Sequence, residues 1–264
     1  MEPTQDRVVT ACLIIIGNEI LSGRTRDANL QFLAKRLGAI GIKLCEARII
    51  PDIEAEIIAT VNACRPRYDH VFTTGGIGPT HDDITAACVA AAFGLALEHH
   101  PEAVARLKRH YGPENINEAR LRMAMVPTGA VLIDNPVSAA PGFSIGNVHV
   151  LAGVPLVMQA MVDGLLPRMR GGPVAVVRTV ACEIGEGVLA DGLAALAARF
   201  STIEIGSYPY FRSGYFGVSL VLRGLCVAEL LEATEAVCAL VRALGGTPLV
   251  TEGSNGDNNG GAGP

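Results

Sequence analysis

The chain has 264 residues, half of them apolar, and a formal net charge of −5, so it is long enough to bury the core of one large domain or two modest ones. The acidic balance, without a long run of one sign, argues against nucleic acid as a partner. No apolar run is long enough to span a membrane, so no membrane partner is expected, and seven scattered cysteines without a CxxC pair favour reduced thiols in a cytoplasmic protein.

In the first part of the chain, apolar runs alternate with segments whose apolar residues recur at helical spacing. The first run, residues 8–17, is continuously apolar, as expected of a strand buried on both faces of a parallel sheet and not of a signal peptide. The predicted strands are 8–17, 43–50, 70–74, 130–135 and 147–153. The predicted helices are 27–41, 51–64, 82–94, 101–112, 115–127 and 154–169. Because strands that alternate with helices form right-handed βαβ units, we predict an α/β fold with a mostly parallel sheet.

The segment RGGP, residues 170–173, interrupts this alternation and marks the predicted domain boundary. One domain is predicted over residues 1–170 and a second over residues 173–250. The predicted order of elements in the second is βαββα, which is typical of a small α+β domain of the split-βαβ kind. Residues 251–264 offer nothing to bury, so we predict a disordered tail there.

The segment TTGGIGPTHDDIT, residues 73–85, follows a predicted parallel strand at the edge of the sheet where α/β proteins bind ligands. Its glycines let the backbone approach a ligand without a Cβ in the way, and the next helix contributes its positive end, so the loop suits a phosphate. A simpler interpretation is a tight turn in which Asp82 or Asp83 caps that helix. The spacing matches neither the P-loop nor the GxGxxG fingerprint.

Carboxylates beside such a loop are consistent with a divalent cation, because Mg²⁺ and transition ions bind carboxylates and phosphate oxygens together. Glu19 follows the first predicted strand and Asp52 the second. Each also has a simpler interpretation, Glu19 as a surface charge and Asp52 as a helix cap. Since neighbouring parallel strands end at the same edge of a sheet, we expect these carboxylates to converge with those of Asp82 and Asp83.

Four segments resemble, in order, the motifs of the MoaB/Mog-type molybdopterin-binding domain: GNEILSGRTRDAN, TGGIGPTHDDIT, NPVSAAPGF and LAGVPLVM. They are most similar to the branch found at the amino end of CinA (competence/damage-inducible) proteins and in one half of eukaryotic FAD synthases. The resemblance covers about residues 8–168, and residues 173–250 are similar to the small domain that follows in CinA proteins. It implies a three-layer α/β sandwich and a homo-oligomer, either a dimer or a trimer.

The resemblance also implies a set of site residues. Asp52 and Asp83 stand at its catalytic positions, and Asp82, Asp83 and Glu19 at positions suited to a metal. The positions implied to bind phosphate or nucleotide are Asn29, Thr74, Gly75, Gly76, Gly78, Pro79, Thr80, Asn135, Pro141, Gly142 and Gly153. In the CinA and FAD-synthase branch this pocket is linked to hydrolysis of the pyrophosphate in ADP-ribose or FAD, with Mg²⁺, Mn²⁺ or Co²⁺ and with potassium as a further candidate. In the molybdenum-cofactor branch the ligand is molybdopterin.

Three residues depart from the pattern of the branch, namely Ala152, Val157 and Ser138, and they concern the far wall of the expected pocket. Three functions are consistent with the sequence: a metal-dependent hydrolase of a nucleotide pyrophosphate, a molybdopterin-binding protein of molybdenum cofactor biosynthesis, and a non-catalytic binder. The doubled aspartate and the GNEIL start favour the hydrolase. In each case the expected partner is a small nucleotide or pterin phosphate.

Overall fold

The computed structural model describes residues 7–212 and 215–253. The chain forms two compact units that divide after Gly172. The boundary expected from the glycines and proline of residues 170–173 lies at this division.

The first unit contains eight strands and seven helices within the described residues, together with one short 3₁₀ turn. Its strands are β1 Val9–Ile16, β2 Ile42–Ile50, β3 His70–Thr74, β4 Leu97–His99, β5 Met125–Pro127, β6 Val131–Ile133, β7 Gly142–Ile145 and β8 Val148–Leu151. Its helices are α1 Asn18–Leu21, α2 Asn29–Ala39, α3 Glu54–Cys64, α4 Thr85–Phe93, α5 Pro101–Tyr111, α6 Glu118–Arg122 and α7 Pro155–Leu165, and the 3₁₀ turn is Leu166–Arg168.

Six of these strands form one sheet in the order β2-β1-β3-β8-β7-β6. The pairs β2–β1, β1–β3 and β3–β8 are parallel, whereas β8–β7 and β7–β6 are antiparallel. Strands β4 and β5 form a separate antiparallel pair. The mostly parallel sheet predicted from the sequence is therefore confirmed.

Strand β1 contributes to both faces of the sheet, which explains why its sequence is continuously apolar. Cys12 and Ile14 lie in a buried cluster that also contains residues of α3, α4 and α5. Leu13 and Ile15 lie in a second buried cluster, with residues of α2 and α7. Because helices cover both faces, the unit is a three-layer α/β sandwich, as predicted.

Two segments of the first unit differ from the prediction. Residues 115–127 were expected to form one helix, but α6 ends at Arg122 and β5 follows, paired with β4. The buried Val126 lies on β5 opposite Glu98, so strand pairing and burial override the helical spacing. The loop NPVSAAPGF ends in strand β7, where Gly142 is needed because a Cβ there would lie 2.3 Å from the Val150 carbonyl oxygen.

The second unit has the predicted βαββα order with one further strand. Its elements are β9 Val176–Cys182, α8 Glu186–Arg199, β10 Glu204–Arg212, β11 Tyr215–Gly224, α9 Val227–Ala243 and β12 Leu249–Gly253. The sheet is antiparallel in the order β10-β11-β9-β12, and residues of α8 and α9 share a buried cluster with β9 and β11.

The expectation of a disordered tail from residue 251 is wrong for residues 251–253, which belong to β12. An edge strand is held by backbone hydrogen bonds and needs few apolar side chains, and here Glu252 also pairs with Arg178 on β9. Residues 254–264 lie outside the described part of the chain. In that part, no helix has the length and apolar character that crossing a membrane requires.

A buried pair of histidines lies in the main sheet. His149 on β8 is 7% exposed, and its Nε2 lies 3.1 Å from Nδ1 of His70 on β3. Its other ring nitrogen lies 2.8 Å from the Ser144 hydroxyl oxygen. Burial, followed by the charge that His70 would carry, lowers the pKa of His149 to about 3, and burial also lowers the pKa of His70. Both imidazoles are therefore neutral in the folded protein at neutral pH.

We predict that the free energy of unfolding falls as the pH is lowered from about 7.5 to about 5. An unfolded histidine takes up a proton near pH 6.5, whereas folded His149 does so only near pH 3. Lowering the pH through this window therefore favours the unfolded state, by about 2 kcal/mol at pH 5 from His149 alone. Urea unfolding at the two pH values measures the loss.

The variant H149Q removes the titrating group and should flatten this pH dependence. H99Q, which replaces an exposed histidine, is the matched control and should leave the dependence unchanged. An H149Q protein that loses as much stability between the two pH values as the wild type contradicts the assignment.

Candidate functional site

A cleft of about 690 Å³ opens at the carboxyl edge of the parallel strands in the first unit. Its walls come from the segments that follow β1, β2, β3, β6 and β8, with a further contribution from α5 and α6. This is the edge at which open α/β sheets bind ligands, and the volume is within the range of small-molecule sites.

The floor of the cleft includes the glycine loop after β3. Gly75 has φ +102° and Gly76 has φ +67°, backbone conformations that residues with a Cβ rarely adopt. A Cβ on Gly75 would lie 2.1 Å from the Ile16 carbonyl oxygen, and one on Gly76 the same distance from the Thr85 hydroxyl oxygen. The Thr85 hydroxyl donates a 3.0 Å hydrogen bond to the Gly75 carbonyl, which fixes the loop to the start of α4.

This loop has backbone donors to offer a ligand. Within residues 7–212 and 215–253, the N–H groups of Gly76, Ile77 and Gly78 donate no hydrogen bond, and all three residues line the cleft. Helix α7 begins at Pro155, as predicted, and residues of its first turn line the same cleft. Free N–H groups and the positive end of a helix together favour an anion.

Four carboxylates line the cleft together with the glycine loop: Glu19, Asp52, Asp82 and Asp83. They follow β1, β2 and β3, which are neighbours in the sheet, so all four line the cleft at the edge that the sequence predicts.

Neither Asp52 nor Asp83 caps a helix as the simpler interpretation of the sequence suggested. The N-cap positions of α3 and α4 are Ile53 and Ile84, without a side-chain cap. Asp52 instead accepts a 2.8 Å hydrogen bond through Oδ2 from the N–H of Asn18, the first residue of α1. Asp83 accepts through Oδ2 from both the N–H and the hydroxyl of Thr80.

The carboxylates are distributed around the cleft rather than gathered at one point. Among the described residues, no three His, Cys, Asp or Glu side chains lie close enough together to hold a metal ion. A Cβ on Gly17 would lie 2.5 Å from Glu19 Oε1, and one on Gly78 would lie 2.6 Å from Asp83 Oδ2, so each carboxylate covers a nearby glycine. Glu19, Asp82 and Asp83, the residues predicted to bind a metal, therefore do not form a closed protein metal centre in the described part of the chain.

Two asparagines predicted to bind a ligand also make hydrogen bonds within the protein, and one of them, Asn135, lines the cleft. Asn29 is buried and donates to the Gly153 carbonyl oxygen at 2.8 Å, which ties α2 to the loop before α7. Asn135 donates to Ser138 and Ala140 and accepts from two N–H groups of its own loop. Both amides therefore position loops of the cleft.

The other predicted residues are placed as follows. Pro79 and Gly153 line the cleft. Thr74 is buried at the end of β3, and its hydroxyl has no hydrogen-bond partner among the described residues. Pro141 lines a smaller pocket that also includes Gly78 and Asp83.

Two of the three departures noted in the sequence make one wall apolar, and the third, Ser138, also lines the cleft. Val157 is buried in the cluster between the sheet and α7, and it also lines the cleft. Ala152 lines the cleft beside it. His81 is outside the cleft lining, with its side chain 96% exposed and its Nδ1 3.9 Å from Asp82 Oδ1.

One group of cleft residues was not predicted from the sequence: Tyr111, Arg120 and Met123. The Arg120 guanidinium lies over the Tyr111 ring, 4.2 Å from its centroid. These residues lie at the end of α5 and in and after α6, a region whose sequence matches no ligand motif. They do not follow a strand of the main sheet, which is where the sequence predicts the site, so no signal in the sequence pointed to them.

Comparison with protein families gives two matches. Residues 12–171 match the family described as "Probable molybdopterin binding domain", which is more than half of the chain. Residues 175–245 match the family described as "FAD synthase, middle domain". The two matches correspond to the two compact units.

Individual proteins extend these matches. A protein of Aeropyrum pernix is 35% identical over 238 residues, which cover 86% of this chain and 88% of that one. A probable FAD synthase of Caenorhabditis briggsae is 33% identical over 265 residues; the match takes in 90% of this chain but 49% of that protein, so the chain spans about half of its length.

Among solved structures, the protein CinA from Thermoplasma acidophilum, described as being of unknown function, is similar with a TM-score of 0.57 and 34% identity. The similarity covers 60% of this chain and 96% of that one. The family match over residues 12–171 shows that the chain belongs to the molybdopterin-binding domain family, and the similarity to this structure shows that it is CinA-like.

Proposed function

We propose that the cleft binds a nucleotide pyrophosphate of the ADP-ribose or FAD type and hydrolyses it with the help of a divalent metal ion. The observation that carries the proposal is that residues with unused backbone donors and residues with carboxylates line one cleft. The unused N–H groups of Gly76, Ile77 and Gly78 lie on the same surface as Glu19, Asp52, Asp82 and Asp83.

The N–H groups and the carboxylates would bind different parts of one ligand. Free backbone N–H groups attract phosphate oxygens, whereas four carboxylates repel them unless a cation lies between. A pyrophosphate that brings Mg²⁺, Mn²⁺ or Co²⁺ satisfies both, because these ions bind one or two carboxylates together with phosphate oxygens. When bound, such a metal would withdraw charge from the phosphate being attacked.

The chain's own residues would hold the pyrophosphate and accept a proton. In the described residues, Asp52 and Asp83 each use Oδ2 for a hydrogen bond, and Oδ1 of each accepts none. One free oxygen would take a proton from the attacking water as its oxygen bonds to phosphorus. The bond from that phosphorus to the bridging oxygen breaks, and two phosphate monoesters leave.

Binding of molybdopterin is a second candidate, favoured by the family match over residues 12–171. A pterin phosphate would use the same N–H groups, but it contains no pyrophosphate for the carboxylates to act on. The four carboxylates of the cleft therefore favour the hydrolase.

We predict that the purified protein converts ADP-ribose to AMP and ribose 5-phosphate, or FAD to AMP and FMN, only when a divalent metal is added. Each substrate is incubated with Mg²⁺, Mn²⁺ or Co²⁺, or with EDTA, and the products are separated by chromatography. No turnover with any of these metals, under conditions in which the protein is folded, rules out the hydrolase. Tight binding of molybdopterin in the same preparation would then select the second candidate.

We further predict that D83N and D52N each lower kcat by about 100-fold or more, since each change removes the charge of one carboxylate and keeps its shape. The Oδ2 hydrogen bonds of both residues can be kept by the amide oxygen, so thermal unfolding should change little. D191N, which changes an exposed aspartate of the second unit, is the matched control and should retain full activity. Wild-type rates in both site variants would contradict the roles proposed for these carboxylates.

A further inference from the structure

We propose that Tyr111, Arg120 and Met123 form a subsite for the planar heteroaromatic ring of the ligand. The subsite would make the cleft prefer a phosphate that carries a base or a similar ring over the same phosphate without one. The inference rests on the proposed function in one respect only, which is that the ligand's phosphate lies on the glycine loop.

The three residues form a wall of the cleft beside the phosphate loop. Tyr111 and Arg120 are half-buried, and the guanidinium lies 4.2 Å from the centroid of the tyrosine ring. Met123, also half-buried, lines both this cleft and the small pocket next to Gly78. The wall and the glycine loop are therefore adjacent parts of one surface.

The backbone holds Arg120 in place before any ligand arrives. Its guanidinium donates to the Asn115 carbonyl oxygen, and its N–H donates a 2.9 Å hydrogen bond to Oδ1 of Asn117, the N-cap of α6. The Asn115 amide in turn donates to the Tyr111 carbonyl oxygen at 3.2 Å. A stacked pair that is already ordered loses little entropy when a ring binds to it.

In the described part of the chain, the positive charge of Arg120 is not paired with a carboxylate. Among the described residues it forms no ion pair, although four carboxylates line the same cleft. Its hydrogen bond to a carbonyl and its contact with Tyr111 therefore leave its positive charge unneutralised. A flat guanidinium on an aromatic ring, next to a polarisable thioether, provides the surface on which bases stack.

A purely electrostatic role for Arg120 is the competing explanation, and the chemistry of the side chain separates the two. If Arg120 acted only as a positive charge towards a phosphate, lysine would replace it. If its plane stacks on a ring, lysine would not, because an ammonium group has no flat face. The tyrosine gives an independent measure, since its ring carries no formal charge.

The test compares two phosphates that differ only in the base. AMP and ribose 5-phosphate are titrated, with Mg²⁺ present, into wild type, Y111L, Y111F and R120K by isothermal calorimetry, and FMN is added as a second ring-bearing phosphate. The matched control is F93L. Phe93 also lies under an arginine, Arg65, with 4.5 Å between guanidinium and ring centroid, but it does not line the cleft. Thermal unfolding of each variant confirms that it is folded.

We expect the wild type to bind AMP, FMN or both at least tenfold more tightly than ribose 5-phosphate. Y111L and R120K should lose on the order of tenfold in affinity for the ring-bearing ligand, with ribose 5-phosphate changed by less than twofold, while Y111F and F93L should resemble the wild type. Equal affinity of the wild type for all three ligands, no measurable binding of any of them, or equal losses for AMP and ribose 5-phosphate in folded Y111L would overturn the subsite.

These outcomes are separate from the test of hydrolysis. If ADP-ribose is hydrolysed but Y111L binds AMP and FMN as the wild type does, the hydrolase proposal stands and the subsite proposal is wrong. If no substrate is hydrolysed but Y111L loses affinity for AMP, the hydrolase proposal is wrong and the subsite proposal is supported.

Discussion

The close approach of the glycine loop to the end of β1 is the constraint on which the cleft depends. Gly75 passes so near the Ile16 carbonyl that a Cβ would lie 2.1 Å from that oxygen. Gly76 makes room for the Thr85 hydroxyl, which bonds back to Gly75. Because β1 and β3 are parallel neighbours, this contact joins the segments that follow them at one edge of the sheet. The orientation of the free N–H groups and the start of α4 follow from it.

The N–H groups that attract phosphate and the carboxylates that attract a cation are held in place in different ways. The groups suited to phosphate are backbone N–H groups, which the glycines of the loop leave accessible. The acidic character belongs to side chains, and each catalytic candidate is fixed by one oxygen to a backbone N–H, Asp52 to that of Asn18 and Asp83 to that of Thr80. One oxygen of each carboxylate therefore serves the fold and the other is available to a ligand.

The parts of this structure that the sequence predicts are those in which one physical effect dominates. Burial on both faces makes β1 continuously apolar, and the order of strands and helices then places Glu19, Asp52 and the glycine loop at one edge. Prediction failed where effects compete. Pairing with β4 turns the end of a helical pattern into β5, and backbone hydrogen bonds extend β12 into a polar segment. Tyr111 and Arg120 were missed because they lie on α5 and α6, not at the strand ends where the sequence predicts a ligand site.

The hydrogen bond between Asp52 and Asn18 joins the segments that follow β1 and β2, and each of these segments carries an acidic residue of the cleft. Asn18 opens the short helix α1, and the next residue is Glu19. A ligand that draws the Asp52 carboxylate towards itself therefore also pulls on the first amide of α1. The positions of the two acids are therefore linked through a single hydrogen bond and one peptide unit.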